Sequence, residues 1–222
     1  MRLLVAKQPL RRILRWTQHL LFAAGLALLA WCAYVVLDAR IFQQAEDRRL
    51  DQLLSVSHET NRGTPGTPQT PSPTTPPAPL PPPPADGLIG RLDIPRLGLS
   101  AVVIEGVGAS ALRRAVGHIP GTALPGQPGN VGISGHRDTF FRPLRNIRRN
   151  DTVTLTTLLG EFRYRVVSTS IVRPDNIAVL YPTENQIVTI VTCYPFYFVG
   201  PAPSRFIVRA ERVANTSSEL RP

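Results

Sequence analysis

The chain has 222 residues, enough for one core-forming domain with additional segments, or for two small domains at most. Its formal net charge is +10, and its two cysteines exclude both a disulfide scaffold and a four-thiolate zinc site. Eleven of the 23 prolines lie between Pro65 and Pro84, so this window can be neither helix nor central strand.

The first segment has the pattern of a membrane anchor. Residues 1–18 carry five basic residues and no acid, and Leu20–Leu37 is an uncharged apolar run. As a helix this run is about 27 Å long, close to the thickness of a bilayer core. We expect a cytoplasmic tail over 1–18 and a single-pass signal anchor over 19–38, with the remainder outside the cytoplasm. A cleaved signal peptide is the alternative, but the run is long for one, and no small-x-small site precedes Asp38.

Residues 39–60 form a charged segment with apolar residues at helical spacing. These apolar positions are Ile41, Ala45, Leu50, Leu53 and Leu54. The spacing predicts an amphipathic helix that continues out of the membrane. It could self-associate, but we favour a solvated juxtamembrane stalk.

Residues 61–86 are rich in proline, threonine, glycine and serine. This composition cannot bury enough apolar surface to fold, and it favours polyproline II. We therefore predict a disordered, semi-rigid spacer that reaches on the order of 80 Å and holds a domain away from the membrane. A ligand for a proline-binding adaptor is the alternative, but cytosolic adaptors would lie on the other side of the membrane.

From 87 to 213 the composition is that of a globular domain, and 214–222 is predicted to be a disordered tail. Runs rich in Val, Ile, Thr and aromatic residues alternate with Gly and Pro. The predicted strands are Leu88–Ile94, Ala101–Ile104, Asn130–Gly135, Asp151–Thr157, Glu161–Arg173, Gln186–Cys193 and Arg205–Val213. We predict a short helix over Ser110–Val116, capped by Ser110, and a helical turn over Arg142–Ile147. Short strands with little helix indicate a closed or nearly closed β-barrel.

The predicted domain is basic, with fifteen arginines, no lysine and eight acids, which gives a net charge of 15 − 8 = +7. Such a charge suggests acidic partners, and it is equally explained by solubility. An extracytoplasmic domain makes nucleic acid a poor candidate. Anionic lipid or a cell-wall polymer fits the predicted location better.

Three residues of this domain together could catalyse acyl transfer. Cys193 ends an apolar strand, because Pro195 cannot continue it, and His136 follows the strand that begins at Asn130. A nucleophilic thiol needs a base or a stabilising cation, which His136 could supply. Arg205, at the start of the last strand, could stabilise an oxyanion. Cys193 taken alone has a simpler explanation, since a lone cysteine is usually a small buried hydrophobe.

The domain resembles the sortases, and class D-type sortases in particular. The family's cysteine motif matches Thr189–Cys193, its histidine context matches Ser134-Gly135-His136, and its arginine matches Arg205. The segments Gly90–Pro95, His118–Asn130, His136–Phe141 and Cys193–Phe196 add to the similarity, which spans about 87–213. The resemblance implies an eight-stranded β-barrel with one or two short helices.

The resemblance also implies an enzyme, a cysteine transpeptidase. Sortases recognise an LPxTG-type sorting signal near the C-terminus of a secreted protein and cleave it between Thr and Gly. In this chain Cys193 would form the thioester acyl-enzyme, His136 would act as general acid and base, and Arg205 would stabilise the oxyanion. The acceptor would be an amine of a cell-wall precursor or a protein lysine, and no cofactor is expected. The alternative is a non-catalytic, membrane-tethered β-barrel that serves as a scaffold or adhesion module.

Several neighbouring residues are candidates for lesser roles. Thr192, Tyr194, Val179 and Leu180 are predicted to contact the substrate, the last two because 171–180 resembles the loop that lines the signal-binding groove of sortases. β-propensity explains Thr192 equally well, and core packing explains the other pair. His118 is expected on a turn, with a structural or substrate-loop role. Asp138 could orient the imidazole of His136, but the family's third residue is an arginine.

Other enzyme classes fit less well. A papain-like hydrolase has its cysteine before its histidine, and an L,D-transpeptidase has a local Ser-His-Gly-x-Cys cluster that is missing around Cys193. His118, His136 and Cys193 are the only obvious zinc ligands, without an HExxH or CxxC pattern, so no metal is expected. The scattered acids show no cluster of the kind that binds calcium in some sortases.

Overall fold

The computed structural model describes residues 7–62, 87–197 and 200–213. The predicted tail over 214–222 and nearly all of the predicted spacer over 61–86 lie outside these ranges. The chain divides into two compact units, Met1–Ile41 and Phe42–Pro222. A single helix, α1, runs through Lys7–Arg62, so its two halves belong to different units.

The first unit contains the predicted membrane anchor. Its part of α1 exposes large apolar side chains, among them Leu28, Trp31 and Tyr34. By length and composition α1 is apolar enough to cross a membrane. This exposure is expected of a helix whose apolar surface is covered by lipid.

The second unit is a closed barrel of eight strands, as the resemblance implied. The strands are β1 (Leu88–Ile94), β2 (Leu99–Glu105), β3 (Val116–His118), β4 (Asn130–Ser134), β5 (Thr152–Thr157), β6 (Gly160–Val172), β7 (Ile187–Tyr194) and β8 (Ser204–Arg212). Around the barrel the order is β1-β2-β3-β4-β7-β8-β6-β5. The pairs β2–β3 and β4–β7 are parallel, and the other pairs are antiparallel.

Period-2 alternation fills the barrel. In β5, Val153 and Leu155 are buried in the core, while Thr152, Thr154 and Thr156 face outward. The other strands contribute buried apolar residues in the same way, so the interior is a packed core rather than a channel. It also contains Tyr164, which is almost fully buried.

Seven of the eight strands were predicted, each within one or two residues of its observed ends. The strand that the sequence did not reveal is β3, which has only three residues. The predicted helix over Ser110–Val116 is shorter, because α2 covers Ala109–Arg114. Its N-cap is Gly108, so the predicted cap at Ser110 is wrong. The predicted turn near Arg142 is a 3-10 helix over Arg142–Asn146.

The second half of α1 packs against the barrel, which differs from the solvated stalk that we expected. Phe42 packs on a buried cluster of β2 and α2, and Leu50 is fully buried. The buried members of that cluster are Val102, Ile104, Ala111 and Ala115. The predicted apolar stripe was only partly right: Leu50 is buried as predicted, but Ile41 and Leu53 are exposed, and Phe42, which the stripe did not include, packs on the barrel. Burial of the aromatic ring of Phe42 determines which face of α1 packs on the barrel.

Gln43 adds a polar contact at the same place. Its amide nitrogen donates to the carbonyl of Arg114 at 2.6 Å, and its amide oxygen accepts from the backbone N–H of Val102 at 2.8 Å. Arg114 ends α2, and Val102 lies just before β2 begins to pair with β3. One side chain therefore satisfies two backbone groups that regular structure leaves unpaired.

Ion pairs lie beside this contact. Arg91 on β1 is within 3.7 Å of Asp47 and 3.4 Å of Asp51 on α1, and within 3.3 Å of Asp93 on its own strand. Burial raises the pKa of the Asp47 carboxyl above its usual value. Arg91 opposes this shift, while Asp51 and Asp93 add to it.

Candidate active site

The three candidate catalytic residues lie at one level of three adjacent strands. β7 and β8 pair so that Cys193 is directly opposite Arg205. β4 runs parallel to β7 with Ser134 beside Val191, and the N–H of Gly135 extends the pairing to the carbonyl of Val191. His136 follows immediately, two positions past Ser134, as Cys193 is two positions past Val191. Arg205 therefore lies opposite Cys193 on β8, and His136 lies on the β4 side of Cys193, just past the end of that strand.

Alternation also places the side chains of Cys193 and Arg205 on one face. In β7, Val188 and Ile190 belong to the core, so the odd-numbered position 193 faces outward. In β8, Val208 and Ala210 belong to the core, so position 205 faces outward as well. In β4, Val131 and Ile133 face inward, and His136 lies in the loop two positions beyond the end of that strand. Cys193 is a half-buried free thiol, and His136 is exposed.

The turn that presents His136 depends on Gly135. A Cβ atom at Gly135 would lie 2.7 Å from ring atoms of Phe141, which is fully buried in the core. The N–H of Phe141 donates to the carbonyl of His136 at 3.2 Å and closes the turn. Only glycine allows the aromatic ring to pack beneath the strand end, so these two residues fix the position of the imidazole.

Arg205 is half-buried at the start of β8. Its Nη1 donates to the carbonyls of Ala202 at 3.3 Å and Ser204 at 3.1 Å. The guanidinium has five N–H donors, and these two carbonyls engage one nitrogen. The remaining N–H groups of the Arg205 guanidinium are able to donate to a group bound beside Cys193.

Thr192 and Tyr194 lie on the opposite face of β7 from Cys193. Thr192 is buried, and its hydroxyl donates to the carbonyl of Gly135 at 2.8 Å. Tyr194 stacks on Phe206, with ring centroids 6.2 Å apart, and meets the edge of Phe196. Both side chains therefore support the strand ends from the inner side, and their contact with the substrate stays a prediction.

Val179 and Leu180 lie away from Cys193. They end a 3-10 helix over Ile177–Leu180, and both are half-buried. The amide nitrogen of Asn130 donates to the carbonyls of Val179 at 3.0 Å and Tyr181 at 3.2 Å. Asn130 begins β4, so this loop is fixed near the end of the β4–β7 pair that is remote from Cys193.

His118 and Asp138 contact groups other than His136. His118 ends β3 and is buried, whereas we expected it on a turn. Its Nδ1 lies 2.6 Å from Glu105 and its Nε2 lies 2.9 Å from the carbonyl of Ala123, which makes it a structural link. Asp138 is exposed and accepts from Nε of Arg137 at 3.4 Å.

Sequence reasoning missed the roles of Asn130 and Arg137. Asn130 also accepts from the hydroxyl of Thr189 at 2.7 Å, so a single buried amide ties β4 to β7 and to the following loop. Arg137 is buried beside His136. The only sequence signal for the role of Asn130 was its position as a polar residue at the start of an apolar strand. No local pattern distinguished Arg137 from the other arginines. Within the described parts of the chain, no group of three His, Cys, Asp or Glu side chains is placed to hold a metal ion.

Comparison with known proteins agrees with this geometry. A family model described as the sortase domain matches residues 92–213. Sortase D of Bacillus subtilis is 37% identical over 125 residues, which are 56% of this chain and 63% of that protein. The alignment thus spans less than two thirds of that curated relative.

Solved structures give the same result. A sortase D5 transpeptidase of Clostridium perfringens superposes with a TM-score of 0.53 and 30% identity, covering 57% of this chain and 79% of that one. Sortase A from Corynebacterium diphtheriae has a TM-score of 0.56 and 28% identity, covering 60% and 64%. The family match covers more than half of the chain and contains the whole cluster around Cys193, and the barrel is the fold of these structures. The chain therefore belongs to the sortase family.

Proposed function

We propose that this protein is a membrane-anchored cysteine transpeptidase that cleaves an LPxTG-type sorting signal between Thr and Gly and transfers the protein to an amine. The observation that carries the proposal is that Cys193 lies opposite Arg205 on β7 and β8, with His136 just past the end of the neighbouring strand β4. A nucleophile, a proton carrier and a fixed cation at one level are the groups that acyl transfer requires.

Acylation uses all three groups. The thiolate of Cys193 attacks the carbonyl carbon of the signal's Thr, and the electron pair moves to the carbonyl oxygen. Arg205 donates to this oxyanion. The C–N bond then breaks, His136 gives a proton to the departing amine of Gly, and the Thr acyl group remains on Cys193 as a thioester.

Transfer reverses the roles. An incoming amine attacks the thioester carbon, and His136 accepts the proton that the amine loses. Arg205 again stabilises the oxyanion, and collapse of the intermediate forms an amide and releases the thiolate of Cys193. The acceptor is an amine of a cell-wall precursor or a protein lysine, and no cofactor takes part.

We propose that an extended substrate lies along the outer face of β4 and β7, where Ser134 and Val191 next to Cys193 are half-buried and Gly132 and Thr189 further along are buried. This face is bounded at one end by Cys193 and at the other by the loop of Val179 and Leu180, which Asn130 holds. Cys193 lies six residues along β7 from Ile187, the partner of Asn130, which is about 20 Å of strand. The four residues of LPxT span about 13 Å when extended, so the signal's Leu would point towards this loop.

The proposed location is the cell membrane, with the N-terminus in the cytoplasm and the barrel outside. The apolar part of α1 and the basic residues that precede it support this orientation. The protein partners are secreted proteins with a C-terminal sorting signal.

The test is acylation of the full chain in detergent by LPxTG-type peptides varied at the third and fifth positions. We expect intact mass to show an adduct that hydroxylamine removes and that peptide mapping assigns to Cys193. Cys193→Ala abolishes the adduct, whereas the matched control Cys32→Ala retains it, because Cys32 lies in the apolar part of α1. Adding an amine to the acylated protein should yield the ligated product.

Failure has a defined form. If no peptide acylates the protein and Cys193 also resists iodoacetamide in the folded chain, the thiol is structural and the scaffold or adhesion alternative is favoured. If the adduct persists in Cys193→Ala, the assigned nucleophile is wrong.

A further inference from the structure

Arg137, next to His136, is a buried arginine with an unusual set of partners. It is 6% exposed, although it follows an exposed residue in a loop. Its Nη1 donates to the carbonyl of Pro195 at 2.8 Å, and its Nη2 donates to the carbonyl of Gly200 at 3.3 Å. A buried guanidinium is costly unless its N–H groups are satisfied, so this arrangement must serve the local structure.

The two carbonyls belong to the segment that joins β7 to β8. This segment begins directly after Cys193 and Tyr194 and ends before Arg205. The guanidinium of Arg145 lies 5.6 Å from the ring centroid of Tyr197 in the same segment. The chain that follows His136 therefore holds the β7–β8 connection at separate points.

These contacts couple the candidate catalytic groups to each other. His136 and Arg137 are consecutive, so a shift of the guanidinium moves the backbone that carries the imidazole. Pro195 is two residues from Cys193, and Gly200 lies on the path to Arg205. The side chain of Arg137 thus connects the loop after β4 to the loop between β7 and β8. Its Nη1 and Nη2 donors together define the orientation of the guanidinium.

We propose that Arg137 is a positioning residue that holds the imidazole of His136 at the level of Cys193 by clamping the β7–β8 connection. This inference rests on the proposed function for its kinetic consequence, but the clamp itself is a property of the fold. Arg137 touches the loop rather than the reacting atoms, so its loss changes geometry and leaves the chemical groups present.

Arg137→Lys and Arg137→Gln in the full chain test the clamp. Lysine keeps the charge, but its compact ammonium cannot hold both carbonyls in the same geometry. We expect both variants to lower kcat for peptide transfer by about 10- to 100-fold, because small misplacements of catalytic groups are costly. KM should stay within about threefold, since the substrate face of β4 and β7 is unchanged. Added guanidinium ion should restore part of the activity of Arg137→Ala.

A second readout does not depend on transfer activity. The rate of iodoacetamide alkylation of Cys193 is measured against pH in wild type, Arg137→Lys and His136→Ala. If the clamp positions the imidazole, the profile of Arg137→Lys should move towards that of His136→Ala. Thermal unfolding of each variant separates this effect from loss of the fold, and Arg142→Gln is the control that removes a neighbouring exposed arginine and leaves Arg137 in place.

The outcomes distinguish the two proposals. Wild-type kcat with an unchanged alkylation profile in both Arg137 variants would overturn the positioning role. A shifted profile in Arg137→Lys, with no acylation of the wild type by any peptide, would retain the clamp and reject the proposed function. A variant that only melts earlier, with kcat and profile at wild-type values below its melting temperature, would reduce Arg137 to a structural residue.

Discussion

Thr192 links the two strand ends that carry Cys193 and His136. Its side chain faces the barrel interior, and its hydroxyl donates to the carbonyl of Gly135 at 2.8 Å. Gly135 has a second tie, because its own N–H donates to Val191. Both backbone groups of Gly135, its N–H and its carbonyl, are thus hydrogen-bonded to β7.

We predict that Thr192→Val lowers both stability and turnover. Valine has the same shape, but the buried carbonyl of Gly135 loses its hydroxyl donor, at a cost of about 1–2 kcal/mol in the free energy of unfolding. We expect kcat to fall several-fold while KM changes little. Urea unfolding and peptide-transfer kinetics measure the two effects.

Thr189→Val is the matched control, because its buried hydroxyl donates to Asn130 at the remote end of β7. It should cost a similar stability but act mainly on KM, through the loop that Asn130 holds. If Thr192→Val and Thr189→Val change kcat and KM alike, the two hydroxyls have no separate roles.

For single residues, the sequence identified the reactive side chains. It did not identify the hydrogen-bond partners of the residues that support them. Cys193, His136 and Arg205 were predicted from strand ends, chemistry and the family motifs. The orientation of Thr192 follows from the alternation of side chains along β7. It follows also from the hydrogen bond to the carbonyl of Gly135, which is 57 residues away in sequence. Local pattern contains no such information, and for the same reason Asn130 and Arg137 were not assigned roles.

Among the elements, long strands were predictable and the shortest was not. β5 alternates threonine with apolar residues, and β7 is a β-branched run, so both have a strong local signal. β3 has only three residues, too few for a local pattern, and its parallel pairing with β2 is made across the intervening α2. Gly108, two residues before the serine that we took as a cap, is the N-cap of α2; its backbone is extended, and no side chain makes a capping hydrogen bond there.

Asp151 fixes the start of β5. It is buried and accepts from Arg96 and, at 2.8 Å, from the backbone N–H of Arg148. The hydrogen bond from Arg96 holds the pKa of the Asp151 carboxyl below its usual value, with the N–H of Arg148 acting in the same direction and burial opposing both. Three elements meet at this carboxylate: the turn at Pro95–Leu97, the loop after Asn146 and β5.

We predict that Asp151→Asn destabilises the domain at neutral pH by about 1.5–3 kcal/mol, the usual value of hydrogen bonds to a charged group. A carboxyl whose pKa is lowered on folding contributes stability above its unfolded pKa and loses it as the pH falls through the folded value. The difference between wild type and variant should therefore shrink below about pH 4. Urea unfolding between pH 3 and 8 measures it, and a difference that persists in acid would contradict the ionic origin.

Asp47 should behave in the opposite way. Because burial raises the pKa of its carboxyl, its ionised form opposes folding, and the penalty is absent below the unfolded pKa. We expect Asp47→Asn to raise the melting temperature at pH 7 by about 1–2 °C and to have no effect in acid. A lower melting temperature at pH 7 would mean that the ion pair with Arg91 outweighs burial.

For the whole molecule, the docked half of α1 changes the expected role of the linker, the spacer that we predicted over 61–86. We expected these residues to separate the barrel from the membrane anchor. In the second unit, however, Phe42, Gln43 and Leu50 already contact or face the barrel. The linker thus joins two parts of one packed unit, and the sequence did not reveal this because the helix face that docks mixes apolar and polar residues.

Docking of α1 predicts where a stable fragment must begin. A fragment from Gly87 to Asn215 lacks Phe42 and uncovers the cluster of Val102, Ile104, Ala111 and Ala115. We expect it to be less stable than a fragment from Phe42 to Asn215 by roughly 3 kcal/mol or more, the value of burying two large apolar side chains. A fragment that begins at Ser57 keeps the linker without the docked residues and should resemble the shorter one. Urea unfolding followed by circular dichroism compares the three, with Phe42→Ala in the longest fragment as an internal check. Equal free energies for the fragments that begin at Phe42 and Ser57 would show that the helix contributes nothing to the barrel.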